Sequence, residues 1–314
     1  MKNLIQIFKN RWFAAIVVLL GILLFLQRFR LTSKYEGFTQ SEPFSMRRNE
    51  AAYDEFYAEI YDRLYKTESR SETEAAKIVE TTQPDKEFSF FLDVGCGTGC
   101  LVDALKRRGY KAVGIDRSKA MIEVGKERRP KTCGDKKHAA EVLQVADAND
   151  AMLFERGVFT HILCMDRTIY EFEDKVAFFR NCKHWLQPGG YLVLHVVEPA
   201  EYNTIVPLGQ PSGLFKTRGP KMGDGKRVTG TAIDFLDFKY KSNYDFSAVE
   251  KGIVVQTETF TDSTSSHIRQ NERTMYMSGM QSILEHSRYC GFLPVGEFVS
   301  TEDEYQKVYI LKAI

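Results

Sequence analysis

No Asn-x-Ser/Thr site occurs anywhere in the 314 residues, so nothing in the sequence marks a glycosylated lumenal surface. Neither charge is in excess: 43 Lys and Arg face 42 Asp and Glu, a formal net charge of +1. A chain that neutralises many phosphates carries a basic excess or stripe, so this balance gives nucleic acid no support as a partner. The six cysteines, Cys96, Cys100, Cys133, Cys164, Cys182 and Cys290, include no C-x-x-C pair, and no His lies at zinc-ligand spacing from two of them. No bound metal is expected, and the cysteines read as free thiols in a reducing compartment. There is no internal repeat and no extended low-complexity tract. What the chain does have is apolar bulk: 43% of it is hydrophobic, enough for one α/β domain with insertions.

One apolar run stands apart. Trp12 to Leu26, WFAAIVVLLGILLFL, contains no polar residue. Fifteen helical residues span about 22 Å, short of a hydrocarbon core of about 30 Å. Lys9 and Arg11 before the run and Arg28 and Arg30 after it extend the reach by placing their charges among headgroups. No small-residue cleavage site follows, so the expectation is an uncleaved N-terminal hydrophobic helix over residues 1–30, a single-pass membrane anchor through 12–26. Residues 31–46 read as a polar linker and 47–314 as the folded domain.

Within that domain Tyr53, Phe56, Tyr57, Ile60, Tyr61, Leu64 and Tyr65 recur at helical spacing, an aromatic face suited to core packing or to a lid over a ligand. A second helix is expected over about 72–79. Phe88–Val94 reads as a buried strand, followed by a tight loop at Gly95, Gly97 and Gly99, a helix from Leu101 to Arg108, and a second strand ending at Asp116. Strands are expected at 141–145, 160–165 and 191–197, with a helix over 175–185. This alternation implies a doubly wound parallel sheet. Beyond Pro199 the pattern changes. Residues 207–230 have the composition of a mobile loop, and 232–240, 252–261 and 268–277 read as successive strands, an antiparallel insertion over about 200–277. A helix over 278–289 and a hairpin over 292–300 and 307–312 complete the chain.

The glycine loop breaks the register of a dinucleotide fingerprint, because Cys100 takes the third small-residue position. LDVGCGTG at 92–99, GIDRSKAM at 114–121, VADAND at 145–150 and LQPGGYLVLH at 186–195 fall in one order, and together they resemble the class I S-adenosylmethionine-dependent methyltransferases. The resemblance covers about residues 50–200 well and the last helix and hairpin more loosely. It implies a seven-stranded Rossmann-like sheet and S-adenosylmethionine as cofactor. It places Asp93 near the ammonium of the methionine part, with Gly95, Cys96, Gly97, Thr98 and Gly99 as the loop around it. Asp116, with Arg117 beside it, meets the ribose hydroxyls. Met121, Asp147 and Ala148 lie at the adenine, and Met165 and Asp166 border the site from the fourth strand.

Methyl transfer from a sulfonium needs alignment and a dry site, and a base only where the acceptor must lose a proton. His195 and Tyr170 are the catalytic candidates, at the exits of the fifth and fourth strands. The aromatic content of the presumed insertion points to a small-molecule or lipid-like acceptor, and the anchor tilts it toward the membrane. The cofactor's cytosolic origin and the unpartnered Cys96 and Cys164 place the catalytic domain on the cytosolic side. The alternative is a tethered protein that binds the cofactor without transfer, or an enzyme transferring another group from it.

Overall fold

The computed structural model describes residues 19–21, 42–129, 142–209, 229–299 and 303–314. The chain divides into two units, residues 1–41 and 42–314. Of the first, Leu19–Gly21 alone are described, as helix. The expected single-pass anchor is corrected here, and with it the cytosolic orientation built upon it. Among the described residues no helix is long and apolar enough to cross a membrane. The rest of residues 12–26 lies outside the described residues.

The second unit opens with strand β1 (Phe44–Arg48), where the sequence suggested linker. Helix α1 (Glu55–Tyr65) follows, its first turn capped by the Asp54 carboxylate, which accepts from the Tyr57 backbone N–H. Lys66, in the left-handed conformation, joins it directly to α2 (Thr67–Thr82), so the expected eight-residue helix is twice as long. Strands and helices then alternate: β2 (Phe90–Val94), α3 (Cys100–Arg107), β3 (Lys111–Asp116), α4 (Lys119–Arg128), β4 (Leu143–Val145), β5 (Phe159–Cys164), α5 (Lys175–Trp185) and β6 (Leu186–Val197). A second group follows, β7 (Gly230–Asp234), β8 (Phe238–Asp245), β9 (Ile253–Asp262) and β10 (Ile268–Tyr276). The chain ends with α6 (Met280–Tyr289), β11 (Phe292–Phe298) and β12 (Gln306–Ala313).

Seven strands form one mixed sheet in the order β11-β12-β6-β5-β2-β3-β4. Pairs among β4, β3, β2, β5 and β6 are parallel, and β12 is antiparallel to both neighbours. Alternate residues of these strands feed two cores, as the period of two requires. Leu92, Val94, Ile162 and Cys164 pack with Phe178 and Trp185 of α5. Phe91, Leu163, Val193 and Ile310 pack with Ile78 of α2 and Leu101 and Leu105 of α3.

The other five strands form a second sheet, β1-β10-β9-β8-β7. Its pairs are antiparallel except β1 with β10. The segment read as one strand over 232–240 is two, because the backbone N–H of Phe235 bonds the carbonyl of Phe238 and turns the chain. β1 escaped notice because it supplies backbone pairing to β10 rather than an alternating apolar face: its side chains are half-buried or exposed. Of the loop expected over 207–230, residues 210–228 lie outside the described residues.

Candidate active site

The C-terminal ends of β2, β3 and β5 lie side by side where the sheet's connection order reverses, the usual place for a ligand in a doubly wound sheet. A cleft enclosing about 1090 Å³, open solvent included, is built there. Its floor is the turn after β2, with Gly95 and Gly97. Asp116, Arg117, Ser118 and Met121 come from the β3–α4 junction, and Ala146, Asp147 and Ala148 follow β4. Asp166, Arg167 and Thr168 come from the exit of β5. A smaller recess beside it reaches Asp93, Cys96, Thr98 and Met165, with Arg70 and Glu74 of α2.

The loop is tied down by its own strand ends. The Asp116 carboxylate accepts from the Gly97 N–H at 2.9 Å and from the Ser118 N–H at 2.8 Å. Gly97 sits at φ +54°, where a side chain is strained. A Cβ there would have Tyr61 Cε1, 3.9 Å away, as its nearest neighbour, and so would project into the gap between loop and α1. Gly99 is different: φ is +82°, and a Cβ would strike Arg129 and Leu143, so this glycine serves close packing and is not brought to the cleft.

Electrostatics divide the site. Burial, and then the neighbouring Glu74 and Asp116 carboxylates, push the Asp93 carboxyl well above its ordinary range, so a cation placed among them would be welcome. Burial would also raise Asp166, but Arg70, then Arg167 and the Tyr61 hydroxyl, hold it at about 2. The Asp166 carboxylate accepts from Arg70 at 2.8 Å and from the Tyr61 hydroxyl at 2.6 Å. Arg117 forms an ion pair with Glu50 at the rim.

Facing this floor, the second sheet contributes Gln256, Arg273 and Met275 to the cleft wall. Arg273 is almost fully buried and donates to Tyr53 Oη at 2.6 Å, Gln256 Oε1 at 2.7 Å and Glu258 Oε2 at 3.1 Å. The Tyr53 hydroxyl in turn donates a hydrogen bond to Glu171 Oε1 at 3.0 Å. Glu258, with no exposed surface, accepts from three tyrosine hydroxyls, Tyr240 at 2.6 Å, Tyr57 at 3.1 Å and Tyr65 at 3.3 Å. The aromatic face of α1 therefore does both things the sequence allowed: Tyr57 is core, while Tyr53, Tyr61 and Tyr65 line the cleft.

Neither catalytic candidate reaches the cleft. Tyr170 is fully buried, and its hydroxyl is spent on Val197, donating to the carbonyl at 2.9 Å and accepting from the N–H at 2.8 Å. His195 is buried beneath the floor, and neither ring nitrogen finds a hydrogen-bond partner among the described residues. Desolvation lowers its pKa to about 3, and that of buried His161 to about 4. The buried imidazole is held neutral and does not line the cleft. It makes the fold acid-sensitive instead. Below pH 6.5 the unfolded chain binds a proton on each histidine that the folded chain refuses, so stability falls with pH by about 1.4 kcal/mol per unit per histidine down to the folded pKa. His195→Met is expected to flatten this profile, losing about 2 kcal/mol less than the parent between pH 6.5 and 5 in urea titrations; parallel profiles would contradict it.

Residues 92–194 match the family model described as a methyltransferase domain. A curated relative, the ubiquinone biosynthesis O-methyltransferase of Coxiella burnetii, is 28% identical over 106 residues, 34% of this chain and 42% of the relative. The chain thus spans about two fifths of the length of the curated relatives it matches. Two solved structures share the fold. One is an S-adenosylmethionine-dependent methyltransferase from Clostridium acetobutylicum, TM-score 0.57 at 16% identity, covering 82% of this chain and 97% of that one. The other is a methyltransferase from Streptomyces caelestis, TM-score 0.59 at 15% identity, covering 84% and 99%.

Proposed function

Because the chain carries a methyltransferase domain and belongs to the class I, S-adenosylmethionine-dependent fold family, we propose that it transfers a methyl group from S-adenosylmethionine to a small-molecule acceptor. The observation that carries this is the continuity of the cleft: the glycine loop and Asp116 share one space with Tyr53, Tyr65 and Arg273. When bound, the cofactor supplies an already activated methyl group. The protein's own residues bind, align and exclude water.

The donor set suits that cofactor. Asp93 and Glu74 offer the recess an ammonium would neutralise, and Arg70 a partner for a carboxylate. Cys96, Thr98 and Met165 shape that recess. In this reading the Asp116 carboxylate would hold the ribose hydroxyls with Arg117 beside it, and Met121, Asp147 and Ala148 would border the adenine. Glu171, which receives the Tyr53 hydroxyl, is the cleft carboxylate we assign to accept a proton from the acceptor, in place of His195. The second sheet is the acceptor platform in this reading. The curated relative's name favours a hydroxyl oxygen on a small molecule. The tilt toward a membrane-localised acceptor rested on the anchor and falls with it.

Incubating the full chain with methyl-labelled S-adenosylmethionine and a small-molecule extract tests the proposal. Label is expected in a low-mass product. Tight binding of S-adenosylhomocysteine with no labelled product would identify a binding protein instead.

A further inference from the structure

Among the described residues, Arg167 is the cleft arginine with the weakest carboxylate pairing. Arg117 has Glu50, and Arg273 has Glu258. For Arg167 the nearest carboxylate oxygen among the described residues is Asp166 Oδ1 at 3.9 Å, outside hydrogen-bond range, and that oxygen already accepts from Arg70. A guanidinium has five N–H donors. The hydrogen bond it makes among the described residues goes to the Tyr244 hydroxyl at 3.3 Å, and its carbon stands 5.9 Å from the Tyr202 ring. Its side chain is 16% exposed, and none of its nitrogens is sealed away from the cleft without a partner.

The backbone holds it there at a cost. Asp166 and Arg167 are consecutive non-glycine residues at φ +48° and +66°, each worth about 1–3 kcal/mol of strain. Asp166 turns back to Arg70 and Tyr61, while Arg167 lines the main cleft and is absent from the recess of Asp93 and Glu74. The methionine end of the cofactor, on the reading above, occupies that recess. A charged fork with open donors on the other side is suited to a second anion.

We propose that the acceptor carries a carboxylate and that Arg167 receives it in the cleft. This rests on the methyltransferase reading and names the substrate class of that same site. Arginine and carboxylate meet through two parallel hydrogen bonds, and a lysine reproduces the charge without the fork. Tyr53, Tyr65 and Phe172 along the cleft suit a flat ring bearing that group.

The test is titration of the full chain, saturated with S-adenosylhomocysteine, with benzoate and with its neutral isostere benzamide. Benzoate is expected to bind at least tenfold more tightly. Arg167→Gln is expected to remove that preference, with benzamide and S-adenosylhomocysteine affinities within threefold of the parent, and Arg167→Lys to keep part of it. Equal affinities for the two probes in the parent chain would overturn the proposal, with no variant needed. So would an Arg167→Gln chain that loses S-adenosylhomocysteine by tenfold or more, which would assign the arginine to the cofactor. Failure of the parent chain to bind S-adenosylhomocysteine would instead remove the methyltransferase reading beneath it.

Discussion

Replacing Glu258 by alanine is expected to destabilise the fold by about 3–5 kcal/mol, the range for breaking a buried ion pair from one side. Two terms add. Arg273 loses its only carboxylate among the described residues while remaining almost fully buried. Tyr57, Tyr65 and Tyr240 lose the oxygen that accepts their hydroxyls. Because the group joins α1 to β8, β9 and β10, the loss should loosen the second sheet from the helix that roofs the cleft. A fall of roughly 10 °C in melting temperature is the expected readout. Glu258→Leu combined with Arg273→Met should recover the part due to the unpaired charge, while the tyrosine hydroxyls still lack their acceptor. A single variant that melts with the parent would mean water already solvates the pair.

Gly97→Val is expected to weaken S-adenosylhomocysteine binding by roughly 100-fold, or about 2.7 kcal/mol. A β-branched residue at φ +54° is strained by about 1–2 kcal/mol. The rest comes from its methyl groups entering the space between loop and Tyr61. The loop would also tend to swing away from Asp116, whose carboxylate holds the Gly97 N–H. Calorimetric titration checks this, and binding within threefold of the parent would show that the cofactor does not lie against this turn.

The cluster of Gly95, Gly97, Asp116 and Met121 along the cleft was legible because its pattern is local. Gly95 and Gly97 follow directly on a strand, Asp116 ends the next one, and Met121 follows within a single helical turn of Ser118. Arg70, Glu74, Gln256, Arg273 and Met275 were not, because no short motif contains them: Tyr53 and Arg273 meet across 220 positions of sequence. The aromatic periodicity of α1 was the one available signal, and it left core and lid undivided since the helix serves both. His195 was read from position alone, and the structure places it in the core rather than in the cleft lining. A strand end is where functional side chains gather, but His195 shares its face with Val193, which packs into the core under α2 and α3, and alternation keeps it there. The weak pairing of Arg167 was not legible either, because it depends on Arg70 having already taken Asp166.

The most direct test of the account is calorimetric titration of the full chain with S-adenosylmethionine and S-adenosylhomocysteine, paired with thermal melting in each ligand. The account predicts saturable binding of both at one site per chain, with the homocysteine at least as tight, and a raised melting temperature. No heat and no thermal shift with either ligand would contradict it.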